Sequence, residues 1–147
     1  MSPEMLDVVI GVIVGIVFVC PTIYMIQKRR FDDWAWPLFL ASLPIWYMLF
    51  GVLALDGKAI ALELLIGLPY LITAYVTWRM RSSMILIVLG IAWLSHGFYD
   101  YYHDVFFVNP GVFGWYPAFC AVVDMTVGSY LLYRGSVGDN ARDLSQI

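Results

Sequence analysis

The stretch HGFYDYYHD, residues 96–104, holds two histidines and two aspartates at the end of an otherwise apolar run. Imidazole and carboxylate together suit zinc, iron, copper and manganese. His96, Asp100 and His103 follow an i, i+4, i+7 spacing. At ~100° per residue a helix carries them, with Asp104, on one arc of roughly 100°. One face can therefore offer His96, Asp100 and His103 as metal ligands, leaving a position open for substrate as in catalytic zinc sites. Asp104 and Asp124 are the candidate catalytic bases, and Asp124 is also a candidate ligand. Glu63, Tyr99 and Tyr102 are candidates for supporting roles that orient the ligands from outside.

Depth brings the distant members together. Asp124 lies about 13 Å below Trp115, and His96 about 12 Å below Asp104, at ~1.5 Å per helical residue. The two can face each other at one level, with Glu63 entering about one turn down a neighbouring helix. An ionisable residue at the centre of a membrane span costs ~2.5–3.5 kcal/mol on insertion scales. Asp100 and Asp124 alone would forfeit on the order of 5 kcal/mol if unpaired, which is comparable to the stability of a small fold. The group must be paired, protonated, hydrated or bound to an ion.

Four chemistries fit such a group. A divalent transition metal, zinc or iron first, can activate water against a lipid-like substrate, as a hydrolase or oxidoreductase does. Without metal, a His with carboxylates can move protons on a lipid double bond, as a lipid isomerase does. The carboxylates and histidines can line a proton or cation path in a transporter or channel. They can also fix helix packing as a structural polar network, within a subunit of a membrane complex. A retinal Schiff base is not expected, because Lys28 and Lys58 both fall in loops. A haem held by two histidines is not expected either, since both lie on one span. No basic patch with interleaved aromatics points to nucleic acid.

The elements that must position these residues follow from composition. The chain has 147 residues, 62% hydrophobic and 13% charged, against about 25% charged in ordinary domains. Its long apolar stretches are the length of membrane helices. The expected fold is all-α, a single integral membrane bundle over residues 1–147. Five transmembrane helices are expected, near 5–26, 34–55, 59–78, 83–106 and 115–133, with a polar cytoplasmic tail over 134–147. The acids precede the first apolar run and the cations follow it, which is not the order of a secretory leader. Lys28, Arg29, Arg30, Arg79, Arg81, Arg134 and Arg142 fall on one side and Lys58 alone on the other. The positive-inside rule then puts the N-terminus outside and the C-terminus in the cytoplasm, so the His/Asp group faces outward.

Smaller features concern packing. Gly11 and Gly15 form a GxxxG that allows close helix approach or is incidental. Pro21, Pro44 and Pro69 fall inside spans. Trp34, Trp36, Trp78 and Trp115 are placed as interfacial anchors. Cys20 and Cys120, on different helices and at different depths, are expected as unpaired core residues. The connector VFFVNPGVFGWYP, residues 105–117, reads as an interfacial hairpin loop in preference to a cap over the polar site.

Two resemblances bear on function. HGFYD is similar to the His-x3-Glu segment of emopamil-binding-type sterol isomerases, five-span proteins, though Asp replaces Glu and the segment falls on the fourth span. That likeness implies acid–base lipid chemistry and transfers no residue roles. WLSHGFYDYYHDVFFVNPG, residues 93–111, resembles a segment of small, uncharacterised bacterial polytopic membrane proteins with His-x3-Asp-x2-His followed by His or Asp. It implies a bacterial inner-membrane protein and lends no activity. The expected partners are membrane lipid or a lipophilic small molecule, with a homo-oligomer left open.

Overall fold

The computed structural model describes residues 2–80 and 82–144, with side chains through Val137. Arg81 and the Arg142 side chain, both counted in the charge asymmetry, lie outside what is described, as does the end of the tail at 145–147. Within the described residues the chain is all helical. It forms α1 (Pro3–Arg29), α2 (Asp32–Leu53), α3 (Gly57–Arg79), α4 (Ser83–Tyr101), a short α5 (His103–Phe106) and α6 (Tyr116–Leu144).

Local chemistry sets the helix ends. Ser2 caps α1 by accepting from the Met5 N–H at 3.3 Å, with Pro3 at the first helical position. Arg30 ends α1 in the left-handed region at φ 58°. Asp56 caps α3, its carboxylate accepting from the N–H groups of Lys58 and Ala59 at 2.9 and 3.0 Å. Ser82 caps α4 in the same way. Each cap satisfies amides that helix geometry leaves without partners.

Helices α1 to α4 are long and apolar enough to cross a membrane. Apolar side chains such as Ile13, Val17, Leu65 and Ile72 stand exposed along them, as a bilayer requires and water disfavours. Helix α4 packs chiefly on α6, α2 on α3, and α1 on α6. Small residues allow the close contacts. A Cβ on Gly90 would stand 2.9 Å from the Gly128 carbonyl oxygen, and one on Gly97 2.9 Å from the Asp124 Cβ. The Gly11–Gly15 pair is used against α6, where a Cβ on Gly15 would meet the Phe119 carbonyl oxygen and Val122 at 3.1 Å. Gly67 receives the ring of Pro44.

Several expectations are corrected. The fourth helix does not run unbroken to residue 106: it ends at Tyr101, and α5 starts afresh at His103. Residues 134–144 continue α6 as helix where a polar tail is expected. Charged and polar residues are compatible with helix as long as no Pro intervenes, so polarity alone did not mark an end. Trp36 is a core residue, almost wholly buried beside Trp93 and Tyr130. Its Nε1–H donates to Asp32 at 3.2 Å, a partner four residues back that makes an inward orientation affordable. Cys120 is buried but Cys20 is exposed, and both are free thiols.

Candidate functional site

The bundle end that carries α5 and the α2–α3 turn holds the polar residues, arranged as two adjoining clusters. The first joins α4 to α6. His96 Nδ1 lies 2.7 Å from Asp124 Oδ2 and 3.2 Å from Asp100 Oδ2, and all three residues are buried. His96 and Asp124 thus stand at one level, as the depth arithmetic requires. The Gly97 seam is what brings the two backbones near enough. One atom from each of His96, Asp100 and Asp124 falls within 4.8 Å of the others. The second Asp124 oxygen, Oδ1, is buried with no hydrogen-bond partner among the described residues.

The second cluster centres on Glu63 of α3. Its Oε2 accepts from the Tyr99 hydroxyl at 2.8 Å. Its Oε1 lies 2.9 Å from His103 Nε2 and accepts from Asn109 Nδ2 at 3.0 Å. His103 Nδ1 faces Asp104 Oδ1 at 3.1 Å. Both imidazole nitrogens therefore meet carboxylate oxygens, which only the protonated ring satisfies as a double donor. Burial opposes that charge, but the hydrogen bonds to Glu63 and Asp104 outweigh it and raise the His103 pKa above its ordinary value. His103 lies on α5, beyond the end of α4.

The candidates thus separate. His96, Asp100 and Asp124 converge, whereas His103 turns to Glu63 and Asp104 and does not join their ligand atoms. The break at Tyr102 explains this, because the single arc drawn through all four residues supposes one continuous helix. Tyr99 is buried on Glu63. Tyr102 is partly exposed, its ring against Phe98 and Tyr101. The Asp104 side chain is 76% exposed and sits at the rim, where it meets His103.

Tyr47 of α2, which the sequence reading passed over, links the two clusters. Its hydroxyl donates to Asp100 Oδ1 at 2.8 Å, and its ring stacks on His103 with centroids 4.7 Å apart. Its carbonyl accepts from Asn109 Nδ2 at 3.0 Å. A tyrosine inside an apolar span needs a partner for its hydroxyl; that was the available signal. Asn109 is the other omission. Its side chain, 3% exposed, pins the connector to α2 and α3. Gly111 presses so closely on the Phe50 carbonyl that a Cβ would collide with it. The turn in the connector therefore packs over the polar end of the bundle through Asn109 and Gly111, while Val105, Phe106, Val108 and Phe113 around it stand exposed.

A cavity of about 520 Å³ adjoins the first cluster. Phe18 of α1, Leu38, Phe39 and Trp46 of α2, and Val123 of α6 are among its apolar walls, and Asp124 is the one acidic or basic residue lining it among the described residues. Phe18, Leu38, Phe39 and Trp46 are exposed, so its mouth opens on the bundle's lateral surface. Trp93 also lines it, and the Trp93 Nε1–H is the other buried polar atom without a partner among the described residues.

At the opposite end of the bundle Asp32 accepts from the Tyr130 hydroxyl at 3.0 Å and lies 3.7 Å from Arg134. These contacts tie α2 to α6 and are separate from the candidate site.

No family model matches the chain, and no curated protein or solved structure matches it either.

Proposed function

We propose that the protein is a metal-dependent membrane enzyme acting on a lipid-like substrate, with His96, Asp100 and Asp124 holding the metal. The observation that carries this reading is the approach of their three ligand atoms to within 4.8 Å inside an apolar bundle. Metal bonds of ~2.0–2.2 Å to nitrogen and oxygen place neighbouring ligand atoms roughly 3 Å apart, close to the 2.7 and 3.2 Å separations at His96. One imidazole with two carboxylates suits zinc or iron. A metal there supplies Lewis acidity for a hydrolase or an oxidoreductase. Tyr47 orients Asp100 by hydrogen bonding its other oxygen. Asp124 turns Oδ2 to His96, and its Oδ1 is buried without a hydrogen-bond partner among the described residues. Glu63, Tyr99 and His103 hold the surrounding helices and the capping turn.

In the same reading α6 is a fifth span. Its apolar first part, from Tyr116 to Tyr133, packs between α1 and α4. Five spans leave the termini on opposite sides, and the loop cations put the N-terminus outside. The site then faces outward from the inner membrane, where lipid enters sideways. A second reading rests on the 2.7 Å contact of His96 with Asp124: a His–carboxylate pair is already an acid–base couple without metal.

The test is turnover. Purified protein in liposomes of bacterial lipid extract, loaded with zinc or iron(II), is incubated and the lipids profiled by mass spectrometry. A product that disappears on chelation and in Asp124→Asn supports the metal-dependent enzyme. A product indifferent to chelation supports the acid–base reading, and an unchanged lipid profile contradicts both.

A further inference from the structure

We infer that the Cys120 thiol is a fourth ligand beside His96, Asp100 and Asp124, which makes the site one for a thiophilic metal, zinc above manganese or magnesium. The inference rests on the proposed metal site and goes further in naming a ligand and the class of metal.

The register of α4 against α6 puts Cys120 there. The two helices run antiparallel: Gly97 stands against Ala121 and Asp124, Gly90 against Gly128 and Leu132, and Ser83 against Gly135. One turn forward on α4 is therefore opposed by one turn back on α6. His96 meets Asp124 at 2.7 Å. Four residues on, about 6 Å along the axis, Asp100 of α4 comes level with Cys120 of α6. The pairs His96–Asp100 and Cys120–Asp124, each spaced i, i+4, thus form a two-by-two set across the seam. Cys120 and Asp124 share a face of α6, since both line the lateral cavity.

The company of the thiol is unlike that of a packing residue. A buried free cysteine ordinarily acts as a small apolar side chain. Cys120, 3% exposed, instead has Asp100 and Asp124 as its charged neighbours and accepts a hydrogen bond from the Tyr116 hydroxyl one turn back. Asp124, wholly buried, also keeps Oδ1 without a hydrogen-bond partner among the described residues, so the group calls for a cation. The sulfur lies outside the three atoms that fall within 4.8 Å of one another. One step between staggered χ1 wells swings a cysteine sulfur by roughly 3 Å, and that swing is the movement that metal binding selects. The sulfur–metal bond forms as the S–H proton leaves to the medium, because only the thiolate coordinates. Imidazole, thiolate and carboxylate are all zinc ligands, whereas manganese and magnesium favour oxygen. Zinc expands to five ligands, so a substrate oxygen can still join.

The probe is cobalt(II), added to the full-length protein in mild detergent without chelator or histidine tag. Cobalt takes the place of zinc and reports a thiolate by a sulfur-to-metal charge-transfer band in the near ultraviolet, separate from its visible d–d bands. The wild type and Cys20→Ser should both show that band. Cys120→Ser should lose it while keeping d–d bands, helicity and elution. Should Cys120→Ser fail to fold, the band in Cys20→Ser decides, since Cys120 is then the one thiol in the chain. Zinc affinity should fall more than ~100-fold in Cys120→Ala, beyond the ~10–100-fold of residues that only orient ligands. Bound cobalt with d–d bands and no charge-transfer band would overturn the inference and leave the three-ligand metal site standing. A band that survives Cys120→Ser would overturn it too, as would a loss of zinc affinity no greater than that of an orienting residue. No cobalt and no zinc bound by the wild type would overturn the metal reading and this inference together.

Discussion

Tyr47→Phe removes a single oxygen atom from the middle of the polar end, and its consequences can be worked out in advance. The hydroxyl donates at 2.8 Å to Asp100 Oδ1, and both residues are buried. The phenylalanine ring keeps the stack on His103 and fills nearly the same volume, so no cavity cost enters. What is lost is one hydrogen bond to a carboxylate, worth ~1.5–3 kcal/mol in soluble proteins. Bonds between membrane helices average ~0.6 kcal/mol and reach ~1.7, because the reference state in lipid finds other partners. The short distance and the burial of Asp100 place Tyr47 at the upper end, so a loss of ~1–2 kcal/mol is expected. Equilibrium unfolding in mixed detergent micelles measures it directly. Because Asp100 would lose the contact that orients it, metal affinity should also fall, by the ~10–100-fold typical of residues that position ligands. A variant with wild-type stability and wild-type metal affinity would refute the linking role of Tyr47.

Gly97→Ala should push α4 from α6, since its Cβ would stand 2.9 Å from the Asp124 Cβ; ~1–3 kcal/mol of overpacking and weaker metal binding are expected. Gly57→Ala, with nothing within 4 Å of its Cβ, should leave stability unchanged or improve it by ~0.4–1 kcal/mol, as read by the same unfolding assay. Asn109→Ala removes the bonds to Glu63 and Tyr47, and should cost ~1–3 kcal/mol and raise hydrogen exchange across residues 105–115. His103 has its pKa raised in the folded protein. Its contribution to stability is therefore full below the unfolded value of about 6.5 and is lost as pH rises through the folded value. His103→Gln should flatten that decline in a pH series of unfolding midpoints.

The pairing of His96 with Asp124 was readable in the sequence because both rest on the fixed rise of a helix and on a known direction of travel through the bundle. The membrane character was readable for a similar reason: runs of apolar residues at span length have few other uses. The place of His103 was not. A departure from helix at Tyr102 leaves no mark in the residue types, and whether Glu63 or a shared ligand point captures the imidazole depends on how α3 packs. Tyr47 was hidden among Trp34, Trp36, Trp46 and other aromatics that stand equally well at an interface. Trp36 was misplaced on the same ground, since only the nearby Asp32 told it apart from an anchor. The connector was hard to read because Asn-Pro-Gly signals a turn without saying whether the turn lies on the surface or is pressed into the bundle. Gly11 and Gly15 announced a close contact but not that α6 would supply it.

The most direct measurement is metal stoichiometry, by elemental analysis of protein purified in mild detergent without chelator or histidine tag. It should be made side by side on the wild type, His96→Ala, Asp124→Asn and His103→Gln, each checked for helicity and elution. The expected result is one zinc or iron per chain in the wild type, absent from folded His96→Ala and Asp124→Asn and retained in His103→Gln. No metal in the wild type after exposure to zinc, iron, copper and manganese, or metal that survives His96→Ala, would contradict a site built on His96, Asp100 and Asp124.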